Sequence, residues 1–186
     1  MPLLTFRRTS ALGEMHRAML ACHDSLYRYA RALSRDPADA EELVQECFRR
    51  ALAADRKPPA AKPEEVRRWM FVILRNVWKN DVRARGREDG LEEAGALGTG
   101  QGASPEARLL RRALQIEVRT AIDSLGETHR EIIVLRDMEG LTYEEISQVL
   151  GCPVGTVMSR LARARMRLRE ILSEFVGRQP RREAHR

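Results

Sequence analysis

The chain has 186 residues, room for two small domains or one of ordinary size. Its 33 Lys+Arg against 27 Asp+Glu, with a pI near 9.8, make it highly charged and net basic, which favours polyanionic partners without naming one. Cys22, Cys47 and Cys152 are scattered, odd in number and without CxxC or Cys/His spacing, which argues against a disulfide framework or a metal site. No apolar run approaches the length of a membrane span, and MPLLTFRRTS lacks the apolar core of a signal peptide, so a cytoplasmic chain is expected.

Aromatics make up only 5% of the residues while Ala, Leu, Arg and Glu dominate, so the patterned segments are expected to be helical throughout. A first helix is predicted over Leu12–Ser34, with Met15, Met19, Cys22, Leu26, Tyr29 and Leu33 at spacings of three and four. Asp36-Pro37 supplies an N-cap carboxylate and a proline for the first helical position of a second helix. Its predicted apolar set is Ala40, Leu43, Val44, Cys47, Phe48, Ala51 and Leu52, and its other face carries Glu42, Gln45, Glu46, Arg49 and Arg50. DRKPPAAKP interrupts the pattern, and a third helix opens at Pro63 with Val66, Trp69, Met70, Ile73, Leu74 and Val77 on one side. From Arg67 to Arg87 the only acid is Asp81, whereas from Asp36 to Cys47 there is no basic residue, so charge sign is segregated by helix.

Residues 86–104 hold half the glycines and have no apolar period to bury, which reads as a flexible linker. Such a segment typically spans about 25 Å and can hold two domains apart yet tethered. Ser104-Pro105-Glu106 restarts helix, with Leu110, Leu114, Val118, Ala121, Ile122 and Leu125 as its expected buried face, ended by Gly126. A short helix around Thr128–Met138 follows. Thr142-Tyr-Glu-Glu145 is a capping box, and Gly151-Cys152-Pro153 joins that helix to the next through a left-handed glycine and a helix-starting proline.

The spacing therefore describes a helix-turn-helix. Its last helix has Val157, Leu161, Ala164 and Leu168 inward, with Thr156, Ser159, Arg160, Arg163 and Arg167 on the opposite side. Hydroxyls near a helix N-terminus can bond phosphates or base edges, and arginines can pair bidentately with guanine. The alternative for any such helix is a solvated basic face on an ordinary hairpin; the capped helix, the turn and the arginine spacing together favour DNA. An enzyme is not expected: the histidines are scattered, and no Ser/His/Asp set, phosphate loop or cofactor signature appears.

Two blocks carry a resemblance to a known family. LGETHREIIVLRDMEGLTYEEISQVLGCPVGTVMSRLARARMRLREIL resembles region four of the extracytoplasmic-function sigma factors of the sigma-70 family, which reads the upstream (−35) promoter element. LYRYARALSRDPADAEELVQECFRRAL with RRWMFVILRNVWKNDVRAR resembles region two, which binds the polymerase clamp and opens the −10 element. The resemblance implies an all-α chain of two small domains: 12–86 as region two, 87–104 as linker, 105–175 as region four and 176–186 as a disordered basic tail. It implies no cofactor. The implied partners are core RNA polymerase, through the β′ clamp coiled-coil and the β flap, promoter DNA, and an anti-sigma factor.

By position, Asp39, Glu42, Gln45 and Glu46 would face the β′ coiled-coil. Arg75, Asn76, Lys79, Asn80 and Arg83, with Arg85 beyond, would engage the non-template strand of the −10 element, cations holding phosphates while amides bond an extruded base. Thr156, Ser159, Arg160, Arg163 and Arg167 would meet the −35 element. Glu42 stands where the family commonly has aspartate, Trp78 where a small residue is usual, Gly126 where proline is ordinary, and Met158 where lysine is frequent. For Trp78, core packing is favoured over stacking on an unpaired base. A lone operator-binding regulator would bind duplex tightly without polymerase, but leaves the acidic helix and RNVWKND unexplained. A sigma-like decoy for an anti-sigma partner would bind that partner and never initiate transcription.

Overall fold

The structure is a computed structural model that describes residues 13–34, 36–55, 58, 62–85 and 105–178, with side chains except at 84–85, 105–113 and 175–178. All regular elements among these residues are helical, as expected. The predicted first helix is two, α1 over residues 13–21 and α2 over His23–Ser34. They meet at Cys22, whose N–H donates to Met19 O, three residues back, at 3.1 Å, and whose thiol donates to Ala18 O at 3.1 Å. The tightened turn leaves the stripe intact, since Met15, Met19, Cys22, Leu26, Tyr29 and Leu33 are all buried.

In α3 (Pro37–Ala53) the cap forms as read: Asp36 Oδ1 accepts from the N–H groups of Ala38 (2.7 Å) and Asp39 (3.1 Å). Ala40, Leu43, Val44, Cys47 and Ala51 are buried. Leu52, expected inside, is instead 51% exposed, because it lies in the last turn of α3, past the point where Phe48 meets His23 of α2. Helix α4 (Pro63–Arg85) buries Val66, Met70, Phe71, Leu74, Val77 and Trp78, while Trp69 and Ile73 are half-buried. The Trp78 indole packs in the core, and Phe71 lies 5.2 Å from the Tyr29 ring.

The second half begins with α5 (Pro105–Asp123), which meets α6 and α8. Ala121, Ile122 and Leu125 are buried, but Leu114 and Val118, predicted on the same buried face, are 51% and 42% exposed. Among the described residues α5 reaches the core at its C-terminal end, so Leu114 and Val118 keep the period without being covered; Leu110 lies outside the described side chains. The helix predicted around Thr128–Met138 is α6 (Glu127–Ile133) continued by a π-helical turn, Val134–Met138. Residues 130–135 are buried all round, which marks an element enclosed by others.

Helix α7 (Tyr143–Leu150) carries the expected capping box: Thr142 Oγ1 accepts from Glu145 N–H at 3.2 Å, and Glu145 Oε2 accepts from Thr142 N–H at 2.8 Å. Gly151 follows with φ 60°, and α8 runs from Val154 to Arg178, so the first residues of the segment read as a tail are helical. The expected linker 87–104 and residues 179–186 lie outside the described residues. The halves do not stand apart: α2 packs against α6 and the π-helical turn, and α4 packs against α7.

The turn between α7 and α8 depends on one backbone conformation. A Cβ at Gly151 meets no atom within 4 Å, so alanine there suffers only the left-handed φ. Gly151→Ala is expected to lower unfolding free energy by about 1–2 kcal/mol. Gly155, helical and equally open, should tolerate alanine without loss. Urea unfolding of the two variants measures the difference.

Candidate nucleic-acid interface

Helix α8 is set by its inner stripe, Val157, Leu161 and Ala164 buried and Leu168 half-buried. Its other side therefore faces water: Ser159, Arg163 and Arg167 are exposed, Thr156 and Arg160 half-buried. Ser159 Oγ donates to Thr156 O at 3.1 Å, and Arg167 Nη1 pairs with Glu170 at 2.9 Å. Among the described residues Arg160 and Arg163 have no hydrogen-bond partner. Met158, at 53% exposure, presents a thioether on this surface. Two further arginines, Arg165 of α8 and Arg136 of the π-helical turn, hold the motif in place. Arg165 pairs with Asp137 of the π-helical turn, and Arg136 donates to Leu141 O at 2.7 Å while its guanidinium lies 4.7 Å from the Tyr143 ring.

On α4 the amide and basic residues divide. Asn76, Asn80 and Arg83 are exposed and Lys79 is half-buried; the side chain of Arg85 lies outside the described residues. Arg75 is held otherwise. Only 8% exposed, it donates from Nε to Glu131 Oε1 at 2.7 Å, and Tyr29 Oη donates to the same oxygen at 2.8 Å. The outward orientation expected for Arg75 is therefore not the one found here, because a partner 56 residues later in the chain takes its guanidinium. Burial, then the Glu131 charge, pushes the Tyr29 hydroxyl well above its ordinary pKa, so it remains a donor.

On α3, Glu42 and Gln45 are exposed and Asp39 is half-buried. Glu46 is gripped by Arg49 and Arg50, each with Nε–O distances of 2.6 Å. These hydrogen bonds lower its carboxyl pKa from 4.5 to about 2. A groove of about 340 Å³ between α3 and α4 is lined by Asp39, Glu42, Glu46 and Asn80 among others, so the acidic face of α3 and the amide edge of α4 adjoin.

Four residues that linear reading passed over are brought together at the junction of the halves. Arg28 binds Glu139 bidentately, Nε to Oε1 at 2.7 Å and Nη2 to Oε2 at 3.1 Å, and Arg67 Nη2 donates to Glu139 O at 2.6 Å and Oε2 at 3.0 Å. Glu131 plays the matching role for Arg75 and Tyr29. The only visible signals were local: Glu131 immediately precedes the apolar run Ile132–Leu135, and Glu139 precedes a glycine. No group of metal-ligating side chains occurs among the described residues, and no helix there is long and apolar enough to cross a membrane.

Comparison with known proteins gives two family matches, sigma-70 region 2 over residues 19–88 and sigma-70 region 4 over residues 115–168. The ECF RNA polymerase sigma factor EcfG of Rhodopseudomonas palustris is 36% identical over 155 residues, covering 83% of this chain and 82% of that protein. The ECF RNA polymerase sigma factor SigE of Mycolicibacterium smegmatis is 37% identical over 81% of this chain, a match that spans only 58% of that longer relative. Among solved structures, the sigma factor RpoE in complex with the anti-sigma factor NepR from Bartonella quintana aligns with a TM-score of 0.67 at 29% identity, covering 85% of this chain and 96% of that one.

The arginine grip on Glu46 has a titration consequence. Its depressed pKa means the ion pairs are complete above the unfolded carboxylate pKa and are lost as pH falls toward 2. Carboxyl-carbon NMR should place the Glu46 midpoint near 2, and the Arg49→Ala/Arg50→Ala double variant should return it to the ordinary glutamate range.

Proposed function

The chain belongs to the extracytoplasmic-function sigma factors of the sigma-70 family, and from that membership we infer that it binds core RNA polymerase and directs promoter-specific initiation. The observation that carries this reading is the α7-turn-α8 unit, whose outer face offers Ser159 and Arg163 to solvent with Arg160 beside them. In this role α8 enters the major groove of the −35 element, where Arg160, Arg163 and Arg167 meet phosphates and guanine edges and Thr156 and Ser159 contribute hydroxyls. Asn76 and Asn80 bond an extruded base of the −10 element while Arg75, Lys79 and Arg83 hold its phosphates, returning part of the melting cost as binding.

Asp39, Glu42, Gln45 and Glu46 dock α3 on the β′ clamp coiled-coil, and the region-four half meets the β flap. An acidic, amide-bearing face is poorly suited to DNA and well suited to a basic protein surface. We assign residues 12–86 to polymerase and −10 engagement, 105–175 to −35 recognition, 87–104 to the connection and 176–186 to a basic tail. The role is that of an initiation factor and not of an enzyme, it is exercised in the cytoplasm, and it needs no metal or cofactor. Since a relative of known structure is a sigma factor in complex with an anti-sigma factor, we assign an anti-sigma factor as the regulatory partner.

Transcription by core enzyme plus this protein over a library of genomic fragments tests the assignment. Defined start sites sharing two upstream elements are expected. Arg160→Ala should weaken promoter use about tenfold, the scale of one good base contact. Gln45→Ala/Glu46→Ala should lose polymerase binding. No specific initiation, or tight duplex binding without polymerase, would favour an operator-binding regulator instead.

A further inference from the structure

We propose that the free chain holds itself shut through two carboxylates of its region-four half, Glu131 and Glu139, and that Glu131 occupies on Arg75 the place a DNA phosphate takes when the chain opens. The proposal rests on the sigma-factor reading above for the meaning of opening, but the closed state stands on its own contacts. Both acids are almost fully buried, their side chains 6% and 1% exposed, and among the described residues they form ion pairs with the other half: Arg75 with Glu131, Arg28 and Arg67 with Glu139. Tyr29, also of the first half, adds its hydroxyl to Glu131.

Two arguments make this a latch and not permanent glue. The first is reach. A compact chain of this length has a radius of gyration of about 16 Å. Positions −35 and −10 lie 25 base pairs apart, about 85 Å along the strand. With α2 bonded to the π-helical turn and α4 to α6, one molecule cannot contact both elements, whereas residues 87–104, drawn out, add about 60 Å. The second is energetic. A buried ion pair recovers in attraction roughly what its ions lost in hydration, so such a contact specifies an arrangement more than it strengthens it. An arginine paired this way can exchange a carboxylate for another anion at little net cost, and a nucleic-acid backbone supplies one phosphate per residue.

The experiment uses the full free chain. Glu131→Gln/Glu139→Gln keeps the shape of both side chains and removes their charge, and Arg28→Ala removes a half-exposed latch residue outside the DNA-contact and polymerase-contact sets. Small-angle scattering of folded protein, checked by circular dichroism, should show the radius of gyration rising by about a quarter or more in the double variant and part of the way in Arg28→Ala. Fluorescence anisotropy with a short oligothymidine strand should show binding at least tenfold tighter in the double variant, with the gain removed when Arg75→Ala is added. Unchanged dimensions overturn the latch, as does expansion without tighter binding or a gain that survives Arg75→Ala. If the double variant fails to fold, Arg28→Ala decides by the same two readouts. Transcription by the wild-type chain with core enzyme tests the sigma-factor reading separately, so the two can fail independently.

Discussion

A carboxylate withdrawn from water must be met by donors, and in this molecule the donors for Glu131 lie on the other half of the chain. The acid sits on α6 between Arg130 and Ile132, in a stretch buried on every side. Left without Arg75 and Tyr29 it would be a buried charge lacking compensation, a defect of about 3–5 kcal/mol. The position of α6 against α2 and α4 is therefore set by charge as well as by shape. Apolar packing alone tolerates sliding; three guanidinium groups, a phenol and two carboxylates within hydrogen-bond distance do not.

The same requirement explains the π-helical turn. An α-helix continued past Ile133 would distribute residues by the 3.6 period, whereas the wider turn over Val134–Met138 precedes Glu139, whose carboxylate lies at Arg28 and Arg67, and Gly140 then reverses the chain at φ 71°. Arg136 secures the reversal through Leu141 O and the Tyr143 ring, which starts α7 at its capping box. The orientation of α8 follows, because α7 and Gly151 lead directly into it and Arg165 ties it back to Asp137. The surface assigned to the −35 element is thus connected, contact by contact, to the junction that holds Arg75.

Local rules were legible wherever the cause was local. The Asp36 cap, the Thr142–Glu145 box, the Gly151 reversal and the inward stripe of α8 all follow from residues a few positions apart. The errors fell where burial depends on what lies opposite: Leu52, Leu114 and Val118 satisfy the helical period but are not covered by any of the described residues. Arg75 shows the same limit for charge. On its own helix it is one of several cations, and only the tertiary position of Glu131, 56 residues later, distinguishes it from Lys79 and Arg83. A glycine-rich stretch suggested independent halves, but linker composition specifies what separation is possible and leaves undetermined whether the halves associate.

The closed arrangement treats the three assigned surfaces unequally. On α3, Glu42 and Gln45 remain exposed, and on α8 so do Ser159 and Arg163, whereas on α4 the cation nearest the junction is occupied and Asn76 and Asn80 are left open. Under the proposed assignment, contact with the polymerase clamp through α3 can begin at Glu42 and Gln45 while Glu46 stays paired with Arg49 and Arg50, whereas full engagement of the −10 strand would require Glu131 to leave Arg75. Because the α3 and α4 faces adjoin along the groove lined by Glu46 and Asn80, a clamp bound to α3 would bring DNA beside the α4 amides before the latch opens. The phosphates would then compete with Glu131 at high local concentration, which places polymerase docking ahead of opening in the order the geometry favours.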